Sequence, residues 1–538
     1  MKTYEAVART LVGCGMKTMF GLMGDANMQY IVEYMQSCGG HYVGAVHETG
    51  AVAMADGYGR VTGTVGVATV THGPGLMNTL TALTEAVRNR SRVLLLTGET
   101  KAGFDLSPQV VDIAAVIAPT GAGYERVHRA DTFSADFRRA LRRVLVEGRP
   151  VVLNIPFDLL NAEAGKPDIP RPGSLVEAVP AVGHKSIDDA LGVLVSAKRP
   201  VILAGRGAVL AGARAELERL ADLVGAPVAT TLLGKDFFRG HPRNIGICGT
   251  VSSPIGAQVI AEADCVVAFG ASLNKFTAGP ALAGKRIVQC DIDPPRIGTF
   301  MDVDLAVLGD ARAVASAMVD GLVDARFDAV ADDGDLVERL AQASPRDQFQ
   351  DRSSEDQTLD LRTAMVTLDE LLPVDRTVVT DAGRFLLGPW KFLHVNDPMR
   401  FVHTTNFASI GLGLGNAIGA AVALPGQLTV AVVGDGGFMM HLGEFSTAAR
   451  NQLPLLVVVL NDGSYGAEYT ALKLYGMDPD YSLITWPDLA PVATALGGRG
   501  LTVRSVGELT EAVAGIESLT GPLLLDVKVD PSVDIWAA

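Results

Sequence analysis

Runs of β-branched and other aliphatic residues recur along the chain, each closed by a glycine turn and followed by a stretch with helical periodicity. The rhythm occurs in three blocks. The first predicts strands at 65–71 and 93–97, with another apolar strand leading into Glu48. The second opens at Pro200-Val201-Ile202-Leu203-Ala204-Gly205 and continues through 265–270 and 286–293. The third begins near 377–381 and includes 428–434 and 455–461. Strands that alternate with helices in this way form parallel sheets covered on both faces. A chain of 538 residues is too long for one core and suits roughly three domains of about 150–200 residues. The predicted fold class is therefore α/β, three doubly wound parallel-sheet domains over 1–162, 185–323 and 358–538. Pro-rich 162–184 and acidic 324–357 read as exposed connections between them.

Composition narrows the function classes. Hydrophobic residues make up 48% and charged residues 20%, as in an ordinary globular protein with a large interior. The 59 glycines sit at strand ends rather than in repeats, which suits tight turns. A net charge of −15 with no dense basic run argues against nucleic acid as a partner. The nearest cluster, Arg138, Arg139, Arg142 and Arg143, fits a solvated helix face. The five cysteines lack CxxC spacing, so neither a zinc site nor a disulfide framework is expected. No secretion signal or membrane-length apolar run is read, so the expected location is cytoplasmic, without a membrane partner.

The most informative segment is 428–466. An apolar strand ends in Gly434-Asp435-Gly436-Gly437, a helical stretch follows, and a second apolar strand ends in Asn461-Asp462-Gly463-Ser464. A right-handed βαβ crossover brings the carboxyl ends of both strands to one edge of the sheet. Asp435 and Asp462, 27 residues apart, should meet there. Two carboxylates at such an edge suit Mg²⁺, which prefers hard oxygen ligands. Gly436 and Gly437 let backbone amides approach a phosphate where the helix dipole favours negative charge. A dinucleotide fingerprint would need an acidic residue about 20 positions after the glycines. The chain there reads Gln452-Leu453-Pro454. The remaining alternative is that both aspartates merely cap turns.

This arrangement resembles the thiamine-diphosphate (ThDP) motif of the acetolactate synthase, benzoylformate decarboxylase and pyruvate oxidase group, and the similarity spans nearly the whole chain. The resemblance implies ThDP and Mg²⁺ as cofactors, with pyrimidine-binding, central and diphosphate-binding domains in that order. It makes Asp435, Asp462 and the main-chain oxygen of Ser464 the metal ligands. The usual motif ends in Asn-Asn, whereas this chain has Asn461-Asp462. The added charge is expected to tighten metal binding and to leave two carboxylates facing each other. Glu48 matches the family's activating glutamate, although a glutamate in a first helical turn also complements the dipole. Ile410 matches the residue that bends the cofactor, and the Ala408 carbonyl the acceptor for its amino group. Gly383, Arg384 and Phe385 match a phosphate-contacting segment in which relatives often carry Gln-His for Arg384-Phe385. Thr71-His72-Gly73-Pro74-Gly75 with Asn78 resembles the loop beside the pyrimidine, and Gln109 a residue facing the cofactor. His72, in place of the usual Ser, suits either a proton carrier or a structural hydrogen bond.

The same resemblance implies a small-molecule 2-oxo acid substrate and a homodimer or homotetramer with sites at the subunit interface. Its leading reading is decarboxylation with carboligation, acetolactate synthase-like. The alternative is a non-oxidative 2-oxo acid decarboxylase or a 2-hydroxyacyl-CoA-type lyase. A non-catalytic nucleotide-binding protein on the same fold is disfavoured by Glu48 and both metal positions. Ala467 and Ala471 stand where biosynthetic acetohydroxyacid synthases carry Met and Trp, which opens the pocket. Glu468 would disfavour a second anionic substrate unless a cation such as Lys473 offsets it. The central domain, with Gly205-Arg206-Gly207-Ala208 and Asp291-Ile292-Asp293, is where relatives hold FAD, ADP or CoA, or nothing.

Overall fold

The computed structural model describes residues 1–538 apart from 104–105, 175–182, 277–279, 330–333, 355–356, 534 and 536–538. Its strands form three six-stranded sheets in which every recorded pairing is parallel. Strands such as Val151–Pro156 and Leu455–Asn461 are buried along their whole length. Coverage on both faces explains why they read as continuous aliphatic runs rather than alternating ones. Numbered 1–6 within each unit, the spatial order is 2-1-3-4-6-5 in the first and third sheets and 6-5-4-1-2-3 in the middle one. In the outer sheets the order reverses between strands 1 and 3, and the crevice above their carboxyl ends is the position where such folds bind ligands. In the third unit these strands are Arg376–Thr380 and Leu428–Gly434. Asp381 and Asp435 are therefore the first residues beyond the edge.

The first and third units share one hydrophobic cluster, which runs from Phe20 and Val43 through to Val433 and Leu455. Two helices join them, Glu48–Thr62 and Gly413–Ala423. The first begins at His47, whose ring accepts the Thr49 amide, and ends at Gly63, where φ is +69°. Both helices are built largely of Gly and Ala on their facing sides. A β-carbon at Gly57 would collide with the Asn416 carbonyl, and one at Gly419 with the Met54 carbonyl. At Gly415 it would come within 2.7 Å of the Ala53 β-carbon. The backbones touch, and only small residues permit that.

The predicted connections are more structured than their composition suggests. Residues 162–164 are strapped to the N-terminus by an antiparallel bridge between Lys2 and Glu163, by the Thr3 amide donating to the Ala162 carbonyl and by the Ala164 amide donating to the Met1 carbonyl. Within 324–357 a helix forms at Gly334–Gln342, and its Leu336 is buried in the core of the central unit. One apolar stripe on an otherwise acidic segment sufficed. Residues 175–182, 330–333 and 355–356 of these connections lie outside the described residues. Arg139 and Arg143 do lie on a helix face, paired with Glu125, Asp136 and Glu147. Among the described residues no helix is long and apolar enough to cross a membrane.

Alanine at an exposed helical glycine would stabilise a helix by about 0.8–1 kcal/mol. At Gly419 the sign should reverse, because the added methyl meets backbone that cannot yield without parting the helices. Gly419→Ala is expected to destabilise the protein by about 1–3 kcal/mol, read as a lower urea midpoint. An unchanged or raised midpoint would show that the helices do not cross this closely.

Candidate active site

Along the carboxyl edge of the third sheet, five segments converge. Asp435 opens the helix Asp435–Met440 and is 3% exposed. One carboxylate oxygen accepts the Gly436 amide at 2.9 Å. The other accepts the Gly463 amide and the Trp486 indole N–H, both at 2.9 Å. Burial, with Asp462 beside it, pushes the Asp435 carboxyl up to about 6. The two aspartates thus meet as the crossover predicted. A β-carbon at Gly436 would lie 3.0 Å from the Tyr465 ring and 3.9 Å from Ile410 Cδ1, and one at Gly434 3.2 Å from the Phe385 ring. Ile410, Phe385, Gly434–Gly436 and Tyr465 therefore surround one place. Glycine at 436 and 437 keeps it open: at 437 a side chain would strike the Asp381 carboxylate.

Three buried acids hold the surrounding loops, and the sequence reading found none of these roles. Asp381 accepts the Gly411 amide at 2.6 Å with one oxygen. With the other it accepts the Gly413 amide at 3.2 Å and the Thr404 hydroxyl at 3.0 Å. Its complete burial raises the carboxyl to about 6. Glu85, from the helix Leu80–Arg88, accepts the Asn406 amide and side chain and the Phe407 amide. Between these two clamps Ala408 is held at φ +60°, a left-handed conformation that costs a non-glycine residue about 1–2 kcal/mol. Strain of this kind persists where surrounding structure over-determines it, and it clusters at functional sites. Glu444 accepts the Val46 and His47 amides at 2.9–3.2 Å, fixing the approach to Glu48.

In the first unit Glu48 heads its helix, 8% exposed, and one carboxylate oxygen accepts from the Asn78 side-chain Nδ2 at 3.0 Å. A β-carbon at Gly75 would stand 3.5 Å from the other oxygen, and Pro74 opens the short helix that leads to Asn78. Gly73 takes φ +62° and packs against the Gln109 backbone, so Gln109 joins the same loop. His72 is 4% exposed; its Nδ1 lies 3.8 Å from Asp25 and finds no hydrogen-bond partner among the described residues.

Two side chains named in the sequence reading, Arg384 and Lys473, find partners within the chain. The Arg384 guanidinium donates to Asp462 at 3.0 Å and to the carbonyls of Val533 and Asp530 at 2.8 and 3.3 Å. The second aspartate is therefore not a bare charge. Lys473 lies over the Tyr469 ring, 4.7 Å from its centroid, rather than against the exposed Glu468. In the central unit, side chains at Gly205 and Gly207 would collide with Gly270, so close loop packing accounts for these glycines without a nucleotide.

Three family models match the chain in this order: the thiamine pyrophosphate enzyme N-terminal TPP binding domain at 1–116, the central domain at 187–318, and the C-terminal TPP binding domain at 381–527. The probable acetolactate synthase large subunit of Methanocaldococcus jannaschii is 29% identical, over 99% of this chain and 92% of that one. Acetolactate synthase isozyme 3 large subunit of Escherichia coli is also 29% identical, over 99% and 95%. Sulfoacetaldehyde acetyltransferase of Castellaniella defragrans is 30% identical, over 95% and 90%.

Asp381→Asn tests the clamp under the Gly411–Gly413 turn. Both carboxylate oxygens accept, so either orientation of the amide sets its NH₂ against a buried donor. A loss of about 1–3 kcal/mol is expected, measured by urea unfolding. Wild-type stability would mean that the clamp does not hold the loop.

Proposed function

The chain belongs to the thiamine pyrophosphate enzyme family, and from that premise we propose that it decarboxylates a 2-oxo acid and joins the resulting unit to an acceptor, in the manner of an acetolactate synthase. The observation that carries this reading is Asp435, buried beside Asp462 at the switch point of the third sheet, with Ile410 and the strained Ala408 around the same opening. Among the described residues no three His, Cys, Asp or Glu side chains gather for a metal. Two carboxylates and the Ser464 main-chain oxygen form a sparser set. That suits Mg²⁺, which completes its shell with water and phosphate oxygens.

In this reading residues 1–162 serve the pyrimidine end, 358–538 the diphosphate end, and 185–323 lies between them. Bound there, thiamine diphosphate supplies a nucleophilic thiazolium carbon for the 2-oxo carbonyl and accepts the electrons released with CO₂. The amides of Gly436 and Gly437 and the turn Gly383–Phe385 bind the diphosphate. Ile410 would pack against the middle of the cofactor, and the Ala408 carbonyl would accept from its pyrimidine amino group. Glu48 keeps one oxygen on Asn78 and uses the other to hold a proton at the ring nitrogen. Pro74 shapes that side, and Gln109 with His72 supplies the remaining polar groups of the pocket. Ala467 and exposed Glu468 follow the Asp462–Ser464 turn; the small side chain leaves room there, and a second anionic substrate would need a cation to offset the Glu468 carboxylate. The lyase reading remains the alternative.

The deciding experiment incubates the protein with ThDP, Mg²⁺ and a panel of 2-oxo acids, with and without sulfoacetaldehyde. CO₂ release and product mass are recorded. A joined product such as acetolactate from pyruvate supports the carboligase, free aldehyde alone supports the lyase, and no CO₂ from any member would sink both. Glu48→Gln should keep the fold and bind ThDP yet lose activity by about 100-fold or more, the usual scale for a positioned proton-transfer group. Near wild-type turnover at saturating ThDP would remove Glu48 from the mechanism. If Glu48 and Asp435 of one site come from two subunits, co-expressed Glu48→Gln and Asp435→Asn chains should regain up to about a quarter of wild-type activity, since mixed dimers carry one intact site. Two inactive variants that stay inactive together would place both residues of a site in one chain.

A further inference from the structure

The second metal position is a charge pair rather than a lone carboxylate. Asp462 and Arg384 face each other at 3.0 Å with side chains only 10% and 6% exposed. The other Asp462 oxygen accepts the Ser464 amide at 3.0 Å and its hydroxyl at 2.7 Å. The guanidinium is held in turn by the carbonyls of Val533 and Asp530. Gly466 makes room for the pair: a β-carbon there would lie 2.7 Å from Asp462 Oδ2 and 2.9 Å from Arg384 Nε.

We infer that Arg384 is a positioning residue that cancels the charge of Asp462 and fixes its carboxylate. The cation and diphosphate then meet about one net negative charge, from Asp435, instead of two. This rests on the metal reading above and deepens it. Unit charges a few ångströms apart in a partly buried site shift an affinity by on the order of tenfold to a hundredfold. Removing either member alone unbalances the site in opposite directions. Asp462→Asn leaves a cation beside the metal, so the Mg²⁺ concentration for half-saturation should rise about tenfold or more. Arg384→Gln leaves two facing carboxylates. It should lower that concentration while weakening ThDP binding in the absence of Mg²⁺. The double variant restores the balance and should return to within about threefold of wild type.

The measurement is calorimetric ThDP binding across a Mg²⁺ series, with indole fluorescence in parallel. Trp486, hydrogen-bonded to Asp435 at 2.9 Å, reports capture of the metal without any assay of turnover. Arg384→Lys covers the case in which Arg384→Gln folds poorly. It keeps the charge but not the forked bonds to Val533 and Asp530, and its Mg²⁺ dependence should stay within about threefold of wild type. A double variant worse than either single one, or a lysine variant whose Mg²⁺ dependence shifts as far as the glutamine one's, would make Arg384 a tether for 530–533 and overturn the pairing role. Wild-type protein that binds ThDP equally well with and without Mg²⁺ would overturn the metal reading itself, and the pair's role with it.

Discussion

The backbone contact between the helices Glu48–Thr62 and Gly413–Ala423 is the constraint on which the rest depends. Side chains normally hold helix axes 8–10 Å apart and let packing adjust. Here glycine against carbonyl at 57 and 419 removes that slack. Each helix also starts at a segment of the proposed site. One is headed by Glu48, and the other follows the turn that carries Ala408 and Ile410. A rotation of either helix would displace both segments, so the small-residue faces fix how they are presented. The shared hydrophobic cluster of the first and third units then forms around the crossing.

Loops around the opening are shaped by buried acids rather than by their own turn chemistry. Asp381 gathers Gly411, Gly413 and Thr404, Glu85 gathers Asn406 and Phe407, and Glu444 gathers Val46 and His47. Burying a carboxylate is costly, and burial raises all three carboxyls. The compensation is several N–H donors per acid, each of which would otherwise be an unpaired loop amide. Because the bond partners come from different units for Glu85 and Glu444, the same bonds that satisfy the acids also lock the first unit to the third.

Which of these features the sequence revealed follows from their range. The crossover from Asp435 to Asp462 was legible because it is local: two aliphatic strands, paired glycines and one helix determine it. The Glu48 helix was legible for the same reason. Partners fixed only by tertiary packing were not. Glu444 lies 398 residues from Val46, and Glu85 321 residues from Asn406. An isolated glutamate on a helix gives no sign of such a role. For Arg384 the resemblance implied only a phosphate-contacting segment, Gly383–Phe385, and left its side-chain contacts open. Its partners at 462, 530 and 533 lie beyond strand ends that the sheet order brings beside it. The helix at Gly334–Gln342 was missed because its acidic composition outweighed one buried leucine.

The central unit is tied to the first by polar contacts at its switch point. Its order, 6-5-4-1-2-3, puts the switch point between Pro200–Ala204 and Cys265–Phe269, where Gly205 and Gly207 pack against Gly270. From that turn Arg206 donates to the Asn89 carbonyl, and Arg90 pairs with Asp293 at 2.9 Å. Asn89 caps the helix Leu80–Arg88, the helix that presents Glu85 to Asn406 and Phe407. A continuous set of polar contacts thus runs from the central sheet edge to the residue before Ala408. Moving the central unit against the first would pull on Asn89 and Arg90, shift Glu85, and release the left-handed residue it helps to hold. The middle sheet thus braces, through Arg206 and Asn89, the helix that holds Glu85.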